Sequence, residues 1–187
     1  MLTAILNFFF ELRQLREAPR SGWQIIGVPD PESVAEHSAR VAQIAYVLAH
    51  LEAHSHPEHV AVIALFHDLA ECRVSDLHKI AQRYVEVDER RALLDMTKEL
   101  GEFGGSIREL WEEYDARETT ASFIAKDADL LEVALTAREY MSLGFTGAED
   151  WYKNAGRGIT TEHGKRLWTE LRDADPNHWW KGLKKLS

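Results

Sequence analysis

The sequence has one cysteine, Cys72, in 187 residues, so no internal disulfide can staple the fold, and a reducing compartment is the expected address. It is also short of positive charge. Against 31 Asp and Glu stand 22 Lys and Arg, giving a formal charge of -9, and the largest basic grouping is Lys181, Lys184 and Lys185. Affinity for nucleic-acid backbones comes largely from neutralising phosphates, so a nucleic-acid polymer is not expected as a partner. A small phosphorylated molecule is not excluded, because a bound metal and one or two arginines can reverse the field locally. Long apolar runs are missing as well. The stretch Leu2 to Phe10 is apolar but brief, contains Asn7, and runs into Glu11 and Arg13 without a basic leader or a small-residue cleavage site. We expect no signal peptide, no membrane span and a cytoplasmic protein.

There is no internal repeat, no low-complexity tract and no alternating strand pattern. Helical periodicity accounts for nearly everything. Leu2, Ile5, Leu6, Phe9, Leu12 and Leu15 recur at helical spacing, so a first helix is expected to run to about Glu17, before Pro19. Arg20 to Pro31 reads as a loop. Ser33 and Glu36 form a capping-box signature for a helix reaching about Glu52. The apolar run from Glu58 to about Cys72 predicts a buried helix, because it is too long for a typical strand. Further helices are expected over about Asp88 to Leu100, from Ser106 with Glu109 completing a capping box, over Thr119 to Leu143 with Gly144 as C-cap, and over Thr161 to Arg172. The tryptophan-bearing tail is expected to pack on this core. The length suits one domain.

His67 and Asp68 sit in the core-like run Ile63 to Leu69, where ionisable groups are rare unless paired or bound to metal. Side chains of adjacent helical residues diverge by about 100 degrees, yet both can reach one ion beside the helix if other elements complete its coordination. His37 and a distant aspartate could do so. Such imidazole and carboxylate ligands suit zinc, manganese, iron, cobalt or nickel. Glu71 lies one turn beyond His67 and could orient or deprotonate a water beside the ion. The histidines His50, His54, His56 and His59 form a rival grouping, with His50 and His54 one turn apart, but only Glu52 and Glu58 lie near in sequence and a polar loop interrupts them; they read as a solvated turn.

The set Pro31-Glu32-Ser33-Val34-Ala35-Glu36-His37-Ser38, His67-Asp68-Leu69-Ala70-Glu71, Asp76 and Lys126-Asp127-Ala128-Asp129-Leu130-Leu131-Glu132 resembles the HD superfamily of helical metal-dependent phosphohydrolases, in the branch containing 5'-deoxynucleotidases. The similarity runs from about Phe10 to beyond Trp168. It implies an all-α bundle of about seven to nine helices, one HD domain over residues 1–187 with its core at about 10–172, and a homodimer. It also implies one divalent ion (Co, Mn, Zn, Ni, Fe or Mg) held by His37, His67, Asp68 and Asp129. Asp127 is then read as solvated or salt-bridged. Glu71 and Asp76 are the implied catalytic carboxylates, for water activation and leaving-group protonation. Arg20 and Trp23 are the implied substrate contacts, since an arginine fork suits phosphate and an indole can cover a base or sugar. Ser75 stands where the relatives commonly carry glycine.

The activity so implied is hydrolysis of a (deoxy)ribonucleoside 5'-monophosphate, a small-molecule substrate. Cyclic-dinucleotide phosphodiesterases of this superfamily use additional histidines, and guanosine tetraphosphate hydrolases usually carry an acidic pair where Glu71 is followed by Cys72. The alternatives kept are another HD phosphohydrolase on a small nucleotide and a sensor module that binds without turnover. Trp111, Tyr114, Trp151, Trp168, Trp179 and Trp180 are read as core or interface packing, and Lys126 and Glu132 as partners of the ligands or of salt bridges.

Overall fold

A computed structural model describes residues 1–183 of the chain; Lys184 and Lys185 of the basic group lie outside the described residues. The architecture is all-α, with no strand among the described residues. Among the described residues eleven α-helical segments follow in order: α1 (Leu2–Glu11), α2 (Arg13–Glu17), α3 (Ser21–Gln24), α4 (Val34–Leu51), α5 (Pro57–Phe66), α6 (Glu71–Val74), α7 (Glu89–Thr97), α8 (Glu102–Ala116), α9 (Thr120–Ser142), α10 (Glu149–Gly158) and α11 (Glu162–Leu171). Nine of them have five residues or more, and α3 and α6 are single turns.

The longest helix, α9, is the axis of the bundle. It buries residues on every side, among them Ile124, Ala128, Leu131, Ala134 and Ala137, as a helix enclosed by neighbours must. Its alanines let α4 and α5 approach on one side, where Val41, Ala45, Leu48, Val60, Ile63 and Ile124 form the main core. On another side Ala134 and Ala137 meet Trp23, Tyr152 and Ala155 of α3 and α10. A third cluster joins Phe8 of α1 to Leu93, Met96 and Trp111 of α7 and α8. Each large apolar side chain taken fully from water contributes about 1.5–3 kcal/mol.

Several expected elements changed shape. The first helix divides at Leu12, and the run ending at Cys72 stops being helical at Phe66, turns through His67 to Ala70 and resumes as α6. Within the expected loop Arg20 to Pro31, Ser21–Gln24 form a helical turn. The α8 helix begins at Glu102, four residues before the Ser106 capping signature. Gly104 and Gly105 inside it read as breakers, but a Cβ on Gly104 would collide with the Thr97 carbonyl, so a bare backbone is what lets α7 and α8 meet. No helix was expected over α10, whose Gly156 and Gly158 argue against one; there a Cβ on Gly156 would strike the Trp168 ring. Trp111 is buried, while Trp179 and Trp180 are 75% and 46% exposed and do not pack as expected of the tail.

Candidate metal centre

Three elements bring the candidate residues together. His37 lies in the first turns of α4, whose start is fixed by Ser33: its hydroxyl accepts the Glu36 amide at 3.2 Å and the Glu36 carboxylate accepts the Ser33 amide at 2.7 Å. An antiparallel bridge between Pro19 and Ser33 ties this start to the segment carrying Arg20. His67 and Asp68 follow the end of α5. Asp129 projects from the middle of α9.

Both imidazoles are held in the same tautomer. His67 Nδ1 stands 2.6 Å from the Ala64 carbonyl, which can only accept, so that nitrogen carries the proton and Nε2 the lone pair. His37 Nδ1 likewise faces the Glu132 carboxylate at 2.7 Å. The two Nε2 atoms are buried and have no hydrogen-bond partner. Around them, Asp68 Oδ2 lies 3.1 Å from His67 Nε2 and 3.6 Å from His37 Nε2, and Asp129 Oδ1 lies 3.3 Å from His37 Nε2 and 4.0 Å from His67 Nε2. Ligand atoms of His37, His67 and Asp129 all fall within 4.8 Å of one another. Two unpartnered imidazole lone pairs facing two carboxylates fit a divalent cation.

The electrostatics agree. Burial opposes charge on Asp68, yet His67, Arg20 and His37 hold its carboxyl well below the usual range. Burial likewise opposes charge on Asp129, and Lys126 with the two histidines hold it low. For His37, burial and Arg20 oppose protonation, but Asp129 and Glu132 push its pKa up to about 10; a cation seated at Nε2 takes the place of that proton. A second grouping, Glu32, His37 and Glu132, lies on the Nδ1 side, where the ring already donates to Glu132, and is better described as a hydrogen-bonded network.

Glu71 stands beside the cluster with Oε2 buried and unpartnered. Burial first, and then Asp68, push its pKa up to about 9. Asp76 accepts the Ser21 amide at 2.6 Å, capping α3, and the Arg20 guanidinium at 3.4 Å. Arg20 Nη1 also reaches Asp68 Oδ2 at 3.3 Å, so the expected residues Arg20, Asp68 and Asp76 are joined directly. Trp23 is placed differently from an open substrate face. It is 2% exposed, packs against Tyr140 and Trp151, and donates its Nε1–H to Glu32 at 3.1 Å.

The reading of Asp127 is corrected. Its side chain is buried, not solvated, and its carboxylate accepts the Thr160 amide at 3.0 Å and the Thr161 amide at 2.6 Å, at the entry to α11. No salt bridge is needed to hold it. The histidines His50, His54, His56 and His59 do not meet as ligands; His59 instead pairs with Glu113 at 2.8 Å.

Lys126 and Glu132, read from the sequence as partners of the ligands or of salt bridges, contact Asp129 and His37, whereas Thr136, Glu139 and Tyr114 escaped that reading in different degrees. Lys126, Asp129, Glu132, Thr136 and Glu139 form a polar row at spacings of three and four on α9, and that row reaches across to His37 and Arg40 on α4. Its periodicity was available as a signal. Tyr114, whose hydroxyl donates to Asp129 Oδ2 at 2.8 Å, looks in sequence like any aromatic on an amphipathic helix.

With the geometry in place, comparison with known proteins identifies the class. The HD domain family matches residues 12–162, and the chain belongs to that family. A 5'-deoxynucleotidase HDDC2 from Bos taurus is 33% identical over 143 residues, covering 74% of this chain and 69% of the relative. The 5'-deoxynucleotidase hdd1 of Schizosaccharomyces pombe is 29% identical over 86% of this chain and 83% of its own. Among solved structures, a conserved hypothetical protein from Pyrococcus furiosus superposes with a TM-score of 0.79 at 32% identity, covering 90% of this chain and 99% of that one.

Proposed function

We propose that the protein is a metal-dependent phosphomonoesterase that hydrolyses (deoxy)ribonucleoside 5'-monophosphates to nucleoside and phosphate. The observation that carries this reading is the convergence of two unpartnered imidazole nitrogens, two carboxylates, Glu71, Asp76 and Arg20 at one place. The names of the relatives add the substrate class. In this reading His37, His67, Asp68 and Asp129 hold one divalent cation (Co, Mn, Zn, Ni, Fe or Mg). When bound, that cation supplies Lewis acidity, lowering the pKa of water and offsetting charge on phosphoryl oxygens.

The chain's own residues do the rest. Arg20 offers its remaining N–H groups to the phosphate, and its charge is secured because Asp68 and Asp76, against the opposition of burial, hold its pKa above the ordinary arginine value. Glu71 and Asp76 divide two proton transfers, one from the attacking water and one to the departing ester oxygen. Trp23 serves by positioning, since it packs against Tyr140 and Trp151 and holds Glu32 through its Nε1–H. Phosphate release should be measured from a panel of nucleoside 5'-monophosphates with Co(II), Mn(II) or Mg(II), alongside cyclic dinucleotide controls. Glu71→Gln is expected to lower kcat by about 100-fold or more while ligand binding persists. The proposal fails if no monophosphate yields phosphate, or if Glu71→Gln turns over at the parental rate.

We further propose one domain over the whole chain, a cytoplasmic setting and a homodimer. Among the described residues no helix is long and apolar enough to cross a membrane. Support for the dimer comes from α1, where Leu2, Phe9 and Phe10 remain 73%, 59% and 75% exposed, an apolar face of the kind that subunit contacts cover. Sedimentation velocity at micromolar concentration should show a dimer, and a monomer there would remove this part of the proposal.

A further inference from the structure

Asp129 presents its two oxygens to different surroundings. Oδ1 faces the two unpartnered histidine nitrogens at 3.3 and 4.0 Å. Oδ2 accepts the Tyr114 hydroxyl at 2.8 Å and the Lys126 ammonium at 2.7 Å. A carboxylate oxygen carrying two such donors has its lone pairs committed, leaving Oδ1 as the oxygen free to bind a cation. Tyr114 also touches another of the ligands: its ring packs on His67 with centroids 4.9 Å apart and planes at 52°. The tyrosine is itself locked. It is 7% exposed, the Arg117 guanidinium lies 4.1 Å from its ring centroid, and Arg117, held in the left-handed conformation that ends α8, donates Nε–H to the Tyr114 carbonyl.

We propose that Tyr114 is a positioning residue that restricts Asp129 to one-oxygen ligation and fixes the plane of His67, thereby keeping positions around the cation open for water and phosphate. This rests on reading the cluster as a metal site. The geometry assigns the task to Tyr114 more than to Lys126, because the lysine is 35% exposed in its side chain and hydrogen-bonds to the aspartate and the phenol, whereas Tyr114 contacts two of the three ligand-bearing elements, at Asp129 and at His67.

The test uses Co(II), whose visible absorption reports coordination number and geometry, added to the full chain after chelation. Tyr114→Phe removes one oxygen and keeps the ring. It is expected to weaken Co(II) binding about 10-fold and to change the d–d bands toward higher coordination, as Asp129 becomes free to chelate with both oxygens. Lys126→Gln, altered from outside the core, should shift the bands in the same direction by less, and it keeps the question answerable if Tyr114→Phe folds poorly. Wild-type affinity within twofold and an unchanged spectrum in both variants would overturn the proposal. His67→Ala separates the two levels: if it too binds Co(II) like the parent, the metal-site reading falls and the role of Tyr114 with it, whereas loss of binding there alone leaves the site standing without the tyrosine's role.

Discussion

Ser75 sits at φ 62° and ψ 162°, a region that glycine enters freely and that costs other residues about 1–3 kcal/mol. The residue joins α6 to Asp76, and the backbone must take this shape for Asp76 to reach the Ser21 amide and Arg20. The loop geometry is therefore reached by a serine, but at the expense of strain. Ser75→Gly is expected to gain about 1 kcal/mol after glycine's own entropic cost, raising Tm by about 2–4 °C and leaving the rate of phosphate release unchanged. A Tm that stays level or falls would mean the conformation is relaxed for serine. At this scale the sequence was informative where a side chain was out of place: His67 and Asp68 stand in an apolar run, a conflict that draws attention to them and becomes a ligand assignment only with His37, Glu71, Asp76 and Asp129 beside it. Tyr114 creates no such conflict, because a tyrosine on a half-buried helix is ordinary, and its partner Asp129 lies on another helix. Asp127 misled for the opposite reason, since its buried donors belong to Thr160 and Thr161, more than thirty residues away.

Helices, taken one at a time, were legible through their starts more than through their ends. Ser33 with Glu36 marked the start of α4 correctly, because a capping box is closed within four residues of sequence. Ser106 with Glu109 marked a start that does not exist, because Gly101 and Glu102 open the helix earlier and Gly104, ahead of Ser106, is needed against α7. The end of α5 was hidden because apolar spacing continues past Phe66. What stops the helix is chemistry: His67 turns its Nδ1–H onto the Ala64 carbonyl, and Leu69 and Glu71 bond back at the shorter spacing of three residues. Between elements, Asp127 acts as a clasp from α9 to the N-terminus of α11. Gly164 crowds the same place, where a Cβ would stand 3.2 Å from Asp127 Oδ2 and closer still to Thr161 and Ile159. Asp127→Ala leaves two backbone donors without their acceptor and is expected to cost roughly 3 kcal/mol, read as a lower midpoint in urea. Co(II) affinity should change little, in contrast to Asp129→Ala, which should abolish it. If Asp127→Ala weakens the metal as much as Asp129→Ala does, the division of labour between these two aspartates is wrong.

Across the whole molecule, the cluster ties stability to pH in a direction opposite to the usual behaviour of surface carboxylates. Glu71 is raised from 4.5 to about 9 and Glu32 to about 7, in each case by burial first, and His37 is raised from 6.5 to about 10 by Asp129 and Glu132 against burial. In all three the folded chain holds the proton more tightly than the unfolded chain. Their contribution is complete below the unfolded values and is lost as pH rises through the folded ones. Asp68, Asp129 and Glu132 are lowered despite burial, by their cationic neighbours, so what they contribute is lost only as pH falls below about 4. The chelated protein should thus be most stable near pH 5–6 and lose roughly 1 kcal/mol per pH unit toward pH 9. A cation offsets part of this trend, because it takes the place of the proton on His37 Nε2 and so binds better as that proton becomes easier to remove. Thermal unfolding in chelator and in Mn(II), each at pH 6 and pH 8.5, measures both arms. The gain in Tm from Mn(II) should be larger at pH 8.5 than at pH 6. A chelated protein that becomes more stable between pH 6 and 8.5 would show that Glu71, Glu32 and His37 do not hold their protons more tightly in the folded chain than in the unfolded one, and the link between this cluster and pH would fall.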